Sequence, residues 1–467
     1  EHDTWKSGVR IESDEPGIIS RLELYTGASG EGTRDVLPHG KVKGKTVRSS
    51  KTFFGYFEDW RDGMEEFGRA CATIAPPLPW NLGTPFGWNS WAKMEFRLSY
   101  EEVSDFFKEN LQNNNFENNG IVYIGMDAGW AKMSDEQLAD IARHCKANGQ
   151  KAGIYFTPFS DWGKDPEAYI NGNSGYKCKD AYLYANGKTQ NMVAGGLAMD
   201  PTHPAIKERI RETAERFKRL GYEYIKIDFL THGCAEADYY YDPEVQTGMQ
   251  AYNKGMAYLL EQMEGMYITM AISPLFPSQY AHSRRIACDA WAGIGDTEYT
   301  LNSLTYGWWL NQVYTYNDPD HLLLEPVSDG ENRARITSGV ITGIFMNGDD
   351  LSYISGIQVA KDKARKFLTN EDINAIAKMG KSFRPVNGNM DGADFLFMYD
   401  TGKEVYLAAF NYSGYDLTYD LPLSRLGLRE FSTYKAKELW SGKEVKFKKN
   451  VRVCIPKKDV LVFRIMR

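Results

Sequence analysis

Between Pro85 and Asp350 the sequence repeats one pattern: a short apolar run, a longer segment of helical spacing, then another apolar run. Eight runs stand out: Pro85–Trp91, Gly120–Asp127, Lys151–Phe159, Tyr222–Asp228, Met266–Ser273, Arg285–Trp291, His321–Glu325 and Gly343–Asp350. Runs apolar on both faces cannot face water on either side, so they belong in a parallel sheet covered by helices. Eight of them, separated by helices, predict a (β/α)8 TIM barrel. A doubly wound open sheet alternates in the same way but usually with fewer strands. The helix signals agree. Ser99–Glu102 and Ser134–Gln137 read as capping boxes, and the segment Pro204–Gly221 opens on proline and closes on glycine.

The flanks have a different period. Residues 1–80 read as a short β segment: the stretch GIISRLELYTG alternates from Ile19, RSSKTFFGYF is aromatic and extended, and DWRDGMEEFGRACA has helical spacing. The proline-rich join Ala75–Trp80 cannot continue a helix and marks a boundary. Residues 81–384 hold the barrel. Residues 385–467 return to strands, with a hairpin turning at Asp400-Thr401-Gly402, and predict a C-terminal antiparallel β-sandwich.

Composition removes several classes of function. A net charge of −7 argues against nucleic acid as partner. No run of about 18 apolar residues occurs, so no membrane span is expected. Seven histidines without an HExxH give no expected metal site, and without a Walker motif or a GxGxxG after a strand no cofactor is expected. The six cysteines are scattered with no CxxC and no disulfide-framework spacing. A start at Glu1 reads as a processed or trimmed form. The expected compartment is secreted or periplasmic, with the cytoplasm as the alternative, and the oligomeric state is left open.

Charge collects where a barrel does its chemistry, at the C-terminal ends of the strands. Lys226 and Asp228 end an otherwise apolar run, and unpaired burial of either would cost several kcal/mol. Two residues apart on a strand, they share a face. The lysine keeps Asp228 ionised and can donate to a sugar hydroxyl. Asp127, Trp91, Arg285 and Asp289 stand at the ends of other runs. Two carboxylates on opposite walls, with aromatics and no metal ligands, suit glycoside hydrolysis: one attacks the anomeric carbon and the other protonates the leaving oxygen.

These residues also carry a resemblance. GWNSW, the D-x-x-W of MDAGW, KID, the R-x-x-x-D of RIACD and NDPD, in this order, resemble the motifs of clan D glycoside hydrolases, families 27 and 36, the α-galactosidases and relatives. The resemblance spans Thr84 to about Ile354. It implies Asp228 as nucleophile, Asp289 as acid/base, and Trp91, Asp127, Lys226 and Arg285 as sugar contacts. It implies a retaining exo-glycosidase for terminal α-galactosides, with a carbohydrate as partner. The alternatives are a galactosyl-transferring relative, a glycosidase for α-N-acetylgalactosaminide, β-L-arabinopyranoside or α-glucoside, or a non-catalytic carbohydrate-binding protein. The chain departs from the family pattern at Ala128, where a second acid is usual, and at Ile272-Ser273, where some members hold a glutamate. The disulfide cysteine often found just past the nucleophile is also replaced, by Phe229-Leu230. Of the neighbouring residues, Trp88 and Trp130 read as packing and His232 as structural or rim. Asp318, Asp320, Asp349 and Asp350 read equally as turn residues, and Cys288 as a small buried hydrophobe.

Overall fold

The central sheet is a ring of eight parallel strands. They are β1 (Phe86–Asn89), β2 (Tyr123–Gly125), β3 (Lys151–Phe156), β4 (Tyr222–Ile227), β5 (Tyr267–Met270), β6 (Ser283–Arg285), β7 (Tyr316–Asp318) and β8 (Phe345–Asn347). The computed structural model describes residues 5–18, 20–28, 37, 42–47, 51–94, 99–172, 175–353, 356–388 and 391–467. Neighbours pair in chain order from β1 to β7, and β8 lies beside β1. The ring closes where Asn317 of β7 bridges Gly343 and the Ile344 N–H donates to the Asn317 carbonyl at 3.0 Å. The result is the (β/α)8 barrel that the alternation predicts.

Its interior is filled mainly by tyrosines. Tyr224 stacks on Tyr267 at 5.5 Å between centroids and touches Tyr123 at the same distance. Gly153 makes room for this layer, because a Cβ there would lie 2.6 Å from Tyr224 Cδ1. Outside, the helix Pro204–Leu220 shows how the helical segments cover the ring. Its buried residues Ile206, Ile210, Ala214 and Phe217 form one stripe, and Gly221 ends it in the left-handed region at φ +98°. A phenylalanine as buried as Phe217 contributes about 1.5–3 kcal/mol from burial alone.

Two strands differ from the expected runs. The sixth is Ser283–Arg285, ahead of the expected Arg285–Trp291, because beyond Arg285 the chain folds over as a loop held at the Ala290 N–H by Asp320. The seventh is Tyr316–Asp318, ahead of His321–Glu325. That apolar run is buried without being a strand, since the Asp349 carboxylate takes its Leu324 and Glu325 N–H groups. The capping box at Ser134 forms. The one at Ser99 does not, as Glu102 accepts from the Tyr353 N–H instead.

Between β3 and the helix Pro204–Leu220 the chain makes a long excursion over the C-terminal face. Short antiparallel pairs stiffen it, Ser160–Asp161 with Leu197–Ala198 and Tyr184–Ala185 with Lys188–Thr189. Leu183, Met192 and Ala198 of this excursion pack with Ala235, Tyr240 and Val245 from the segment after β4. The two loops therefore form one wall above the barrel.

The flanking regions are simpler. Trp5–Glu12 and Arg21–Ala28 pair as an antiparallel hairpin, while Ile19 and residues 48–50 lie outside the described residues. Lys51–Phe57 makes no strand, in contrast to the extended reading, and the helix Trp60–Ile74 follows. The C-terminal strands form an eight-stranded antiparallel sheet folded on a core that includes Leu396, Leu407, Val453 and Ile465. The hairpin Leu396–Asp400 with Glu404–Asn411 turns where expected. This sandwich docks on the helix Asp329–Val340 through Arg333, whose Nε lies 3.0 Å from Asp459, and through the Trp440 indole, 3.0 Å from Thr337 Oγ1. Among the described residues no helix is long and apolar enough to cross a membrane.

Candidate active site

The C-terminal ends of β1 to β4 bring a connected polar cluster into a cavity of about 1020 Å³. Asp127, just past β2, is buried and accepts three hydrogen bonds. They come from Asn89 Nδ2 at 3.1 Å, the Ala128 N–H at 2.9 Å and Lys226 Nζ at 2.9 Å. Ser90 Oγ in turn accepts from the Asp127 N–H at 2.9 Å. Lys226 Nζ also lies 4.0 Å from Asp228 Oδ2, so one ammonium serves both acids. The other oxygen of Asp228 accepts from the Phe229 N–H at 2.7 Å. Phe229 stands at φ +53°, a left-handed conformation that a bulky residue rarely adopts, and this kink turns its amide back on the carboxylate.

Burial pushes the Asp228 carboxyl up, and Lys226 with the Phe229 amide offset part of that rise. Burial works to lower Lys226, but Asp127 and Asp228 outweigh it and leave the ammonium raised. Lys226 is thus the charge that makes an ionised Asp228 tolerable. Tyr155 of β3 lines the cavity with Asp228 and has Lys226 Nζ 5.5 Å from its ring centre. Burial raises the Tyr155 hydroxyl, and the negative charges of Asp228, Asp127 and Asp289 raise it further.

The facing wall is built on Arg285 at the end of β6. Its guanidinium binds Asp289 Oδ1 at 3.0 Å and Asp320 Oδ1 at 2.9 Å. Burial works to lower Arg285, but Asp320, Asp318 and Asp289 outweigh it. Asp320 is buried, and burial would raise it, but Arg285 and His321 hold it well below the usual carboxylate range. Its second oxygen accepts the Ala290 N–H at 2.8 Å, which pins the loop carrying Asp289. The Asp289 side chain remains 51% exposed, at the rim of the cavity.

All six residues expected at the site, Trp91, Asp127, Lys226, Asp228, Arg285 and Asp289, line this one cavity. Of the others, Trp88 is buried and donates to the Asp349 carbonyl at 2.8 Å. Trp130 packs on Phe217 and donates to the Tyr155 carbonyl while also reaching the cavity. Asp349 and Asp350 are buried acceptors for nearby backbone N–H groups, and His232 is buried against Phe229 and Trp162. Cys288 corrects the expectation of a buried residue: it is exposed at the cavity wall, because the loop after β6 lifts it off the barrel. Of the two departures from the family pattern, Ala128 and Ile272 line the cavity. Ser273 is buried and accepts from Arg284 Nε at 3.0 Å. Tyr155 escapes sequence reasoning because a tyrosine within an apolar strand looks like packing.

Comparison with known proteins follows this geometry. The model of the α-galactosidase C-terminal β-sandwich domain matches residues 398–465. Over 401 residues the chain is 22% identical to α-galactosidase A of Aspergillus niger, covering 82% of this chain and 68% of that one. The chain is thus similar to an α-galactosidase over most of its length and carries the matching C-terminal domain. Solved structures share the fold. A family 27 β-L-arabinopyranosidase of Geobacillus stearothermophilus superimposes with a TM-score of 0.64 at 14% identity, over 83% of this chain and 97% of that one. The isomalto-dextranase of Arthrobacter globiformis, complexed with panose, gives a TM-score of 0.58 at 17% identity, over 82% and 72%. The chain thus shares its barrel with proteins named for different sugars.

Proposed function

We propose that this protein is a retaining exo-glycosidase acting on terminal α-galactosides. The observation that carries the proposal is the pairing of a buried, lysine-held Asp228 with a rim-exposed Asp289 across one cavity. An Asp228 oxygen attacks the anomeric carbon, the glycosidic C–O bond breaks, and the departing oxygen takes the proton of Asp289. Asp289, now a carboxylate, takes a proton from water as the water oxygen attacks the same carbon. The bond to Asp228 then breaks and the free sugar leaves with its original anomeric configuration. Lys226 supports the charge of the nucleophile, and the Phe229 amide fixes its other oxygen.

The glycone follows from the polar floor. An axial 4-hydroxyl needs groups aimed at it, and a site built to pair a hydroxyl rejects the epimer strongly. Asp127 and Lys226 supply an acceptor and a donor side by side. The similarity to an α-galactosidase supports the same sugar configuration. Ala128 and Ile272 leave the 6- and 2-positions less tightly specified, which admits an N-acetyl group or the absence of a hydroxymethyl. A panel of aryl glycosides at equal concentration, followed by proton NMR, tests this. Aryl α-galactoside is expected to be cleaved fastest, followed by α-N-acetylgalactosaminide and β-L-arabinopyranoside, with the retained anomer appearing first. An α-glucoside or isomaltoside at the head of the ranking overturns the galactose reading. Initial release of the opposite anomer overturns the retaining pair.

A further inference from the structure

The cavity is larger than the polar cluster at its floor, and part of its remaining wall comes from the excursion after β3. Trp162 is the principal side chain there. It is 40% exposed, unusual for an indole, yet it is held on several sides. Its Nε1 donates to Thr157 Oγ1 at 3.0 Å. Its ring meets Phe229, the residue after the candidate nucleophile, edge to face with centroids 4.7 Å apart. The backbone at Gly196 backs the ring so closely that a Cβ there would lie 3.0 Å from Cζ3 and 3.1 Å from Cη2. The turn beneath it is braced by Arg209, which donates to the carbonyls of Thr157 at 3.0 Å and Ser160 at 3.2 Å.

An exposed tryptophan fixed at its N–H, at its edge and on its back loses little freedom when something covers its open face. The leaving group must depart towards Asp289, and Trp162 lines the same cavity as Asp289 and the candidate nucleophile. We infer that Trp162 is the stacking platform of a second-ring subsite, where the leaving sugar lays its C–H face on the indole. The inference rests on the glycosidase reading above and adds the residue that receives the leaving ring. The indole contributes apolar area and a negative ring face to the C–H groups. Phe229 couples the platform to the nucleophile's kink, so an occupied subsite also steadies Asp228.

The test compares two substrates carrying the glycone that the aryl panel selects, the glycosyl fluoride and a disaccharide (melibiose if the glycone is galactose). The fluoride has no second ring. Trp162→Ala is expected to lower the ratio of kcat/KM on disaccharide to that on fluoride by about tenfold or more, and Trp162→Phe to restore most of it. A ratio unchanged in Trp162→Ala, whether both substrates suffer equally or neither does, overturns the subsite. Unmodified protein inert on every glycosyl fluoride overturns the glycosidase reading itself, and that result is visible before any variant is made. Near-normal thermal unfolding of Trp162→Phe separates loss of the platform from loss of the fold.

Discussion

Asp228 and Asp289 face one cavity under opposite circumstances. Asp228 directly follows a six-residue strand, is buried, and has its oxygens occupied by the Phe229 amide and the field of Lys226. Asp289 rides a loop, is half exposed, and is tied to the barrel through Arg285. A nucleophile must meet the anomeric carbon along a narrow line, so a rigid mount suits it. A proton donor must give to one oxygen and later take from another, so contact with water and some freedom suit it. Burial sets the first group and position at the rim sets the second.

The largest effect should come from the rigid side. Asp228→Asn keeps the shape and removes the attacking charge, so kcat should fall by about 10⁴ or more with the fold intact. Near-wild-type turnover at an unchanged melting temperature would remove Asp228 from the role. Asp289→Asn should cost about 10²–10⁴ on alkyl glycosides, whose leaving oxygen needs a proton. Aryl substrates should instead show a rapid burst of phenol release, because their first step survives. Equal losses on alkyl and aryl glycosides, without a burst, would erase the contrast between the two acids.

The smallest effect sharpens the comparison by removing the charge that supports the buried acid. Lys226→Met should lower kcat/KM at pH 7 by roughly ten- to a hundred-fold through the lost sugar contact. It should also move the acid limb of the pH profile. Burial now raises Asp228 and Lys226 holds it down, so without the lysine the carboxyl keeps its proton to higher pH. The limb therefore shifts in the alkaline direction. A shift towards acid, or none, measured on kcat/KM would show that Lys226 does not govern the nucleophile.

The same two walls differ in how far the sequence reveals them. Apart from the exposed Glu223 near its start, β4 is apolar up to Lys226, so charge at its buried end is conspicuous and Asp228 can be read from the pattern. β6 and β7 are Ser-Arg-Arg and Tyr-Asn-Asp, short and polar, and no apolar period marks them. They are strands because their backbones pair within the ring, a nonlocal cause. The apolar His321–Glu325 shows the converse, a buried loop whose N–H groups are met by a carboxylate from β8's end. Asp320 reads as a turn residue beside a proline, and its partnership with Arg285 depends on strands thirty-odd residues apart meeting. Trp162 gives no signal at all, since an aromatic in a loop acquires meaning only from what backs it.

The docking of the sandwich has a consequence for the order of assembly. The helix Asp329–Val340 feeds β8, and β8 both seals the ring against β7 and, through the Asp349 carbonyl, anchors Trp88 at the start of the barrel. That helix is covered in turn by Asp459 and Trp440, which are synthesised long after it. While the chain emerges from the ribosome, the early strands therefore wait with their ring open, and the helix that seals it waits with its outer face bare. Until the sandwich is made, the nascent chain exposes apolar surface of the kind that chaperones bind.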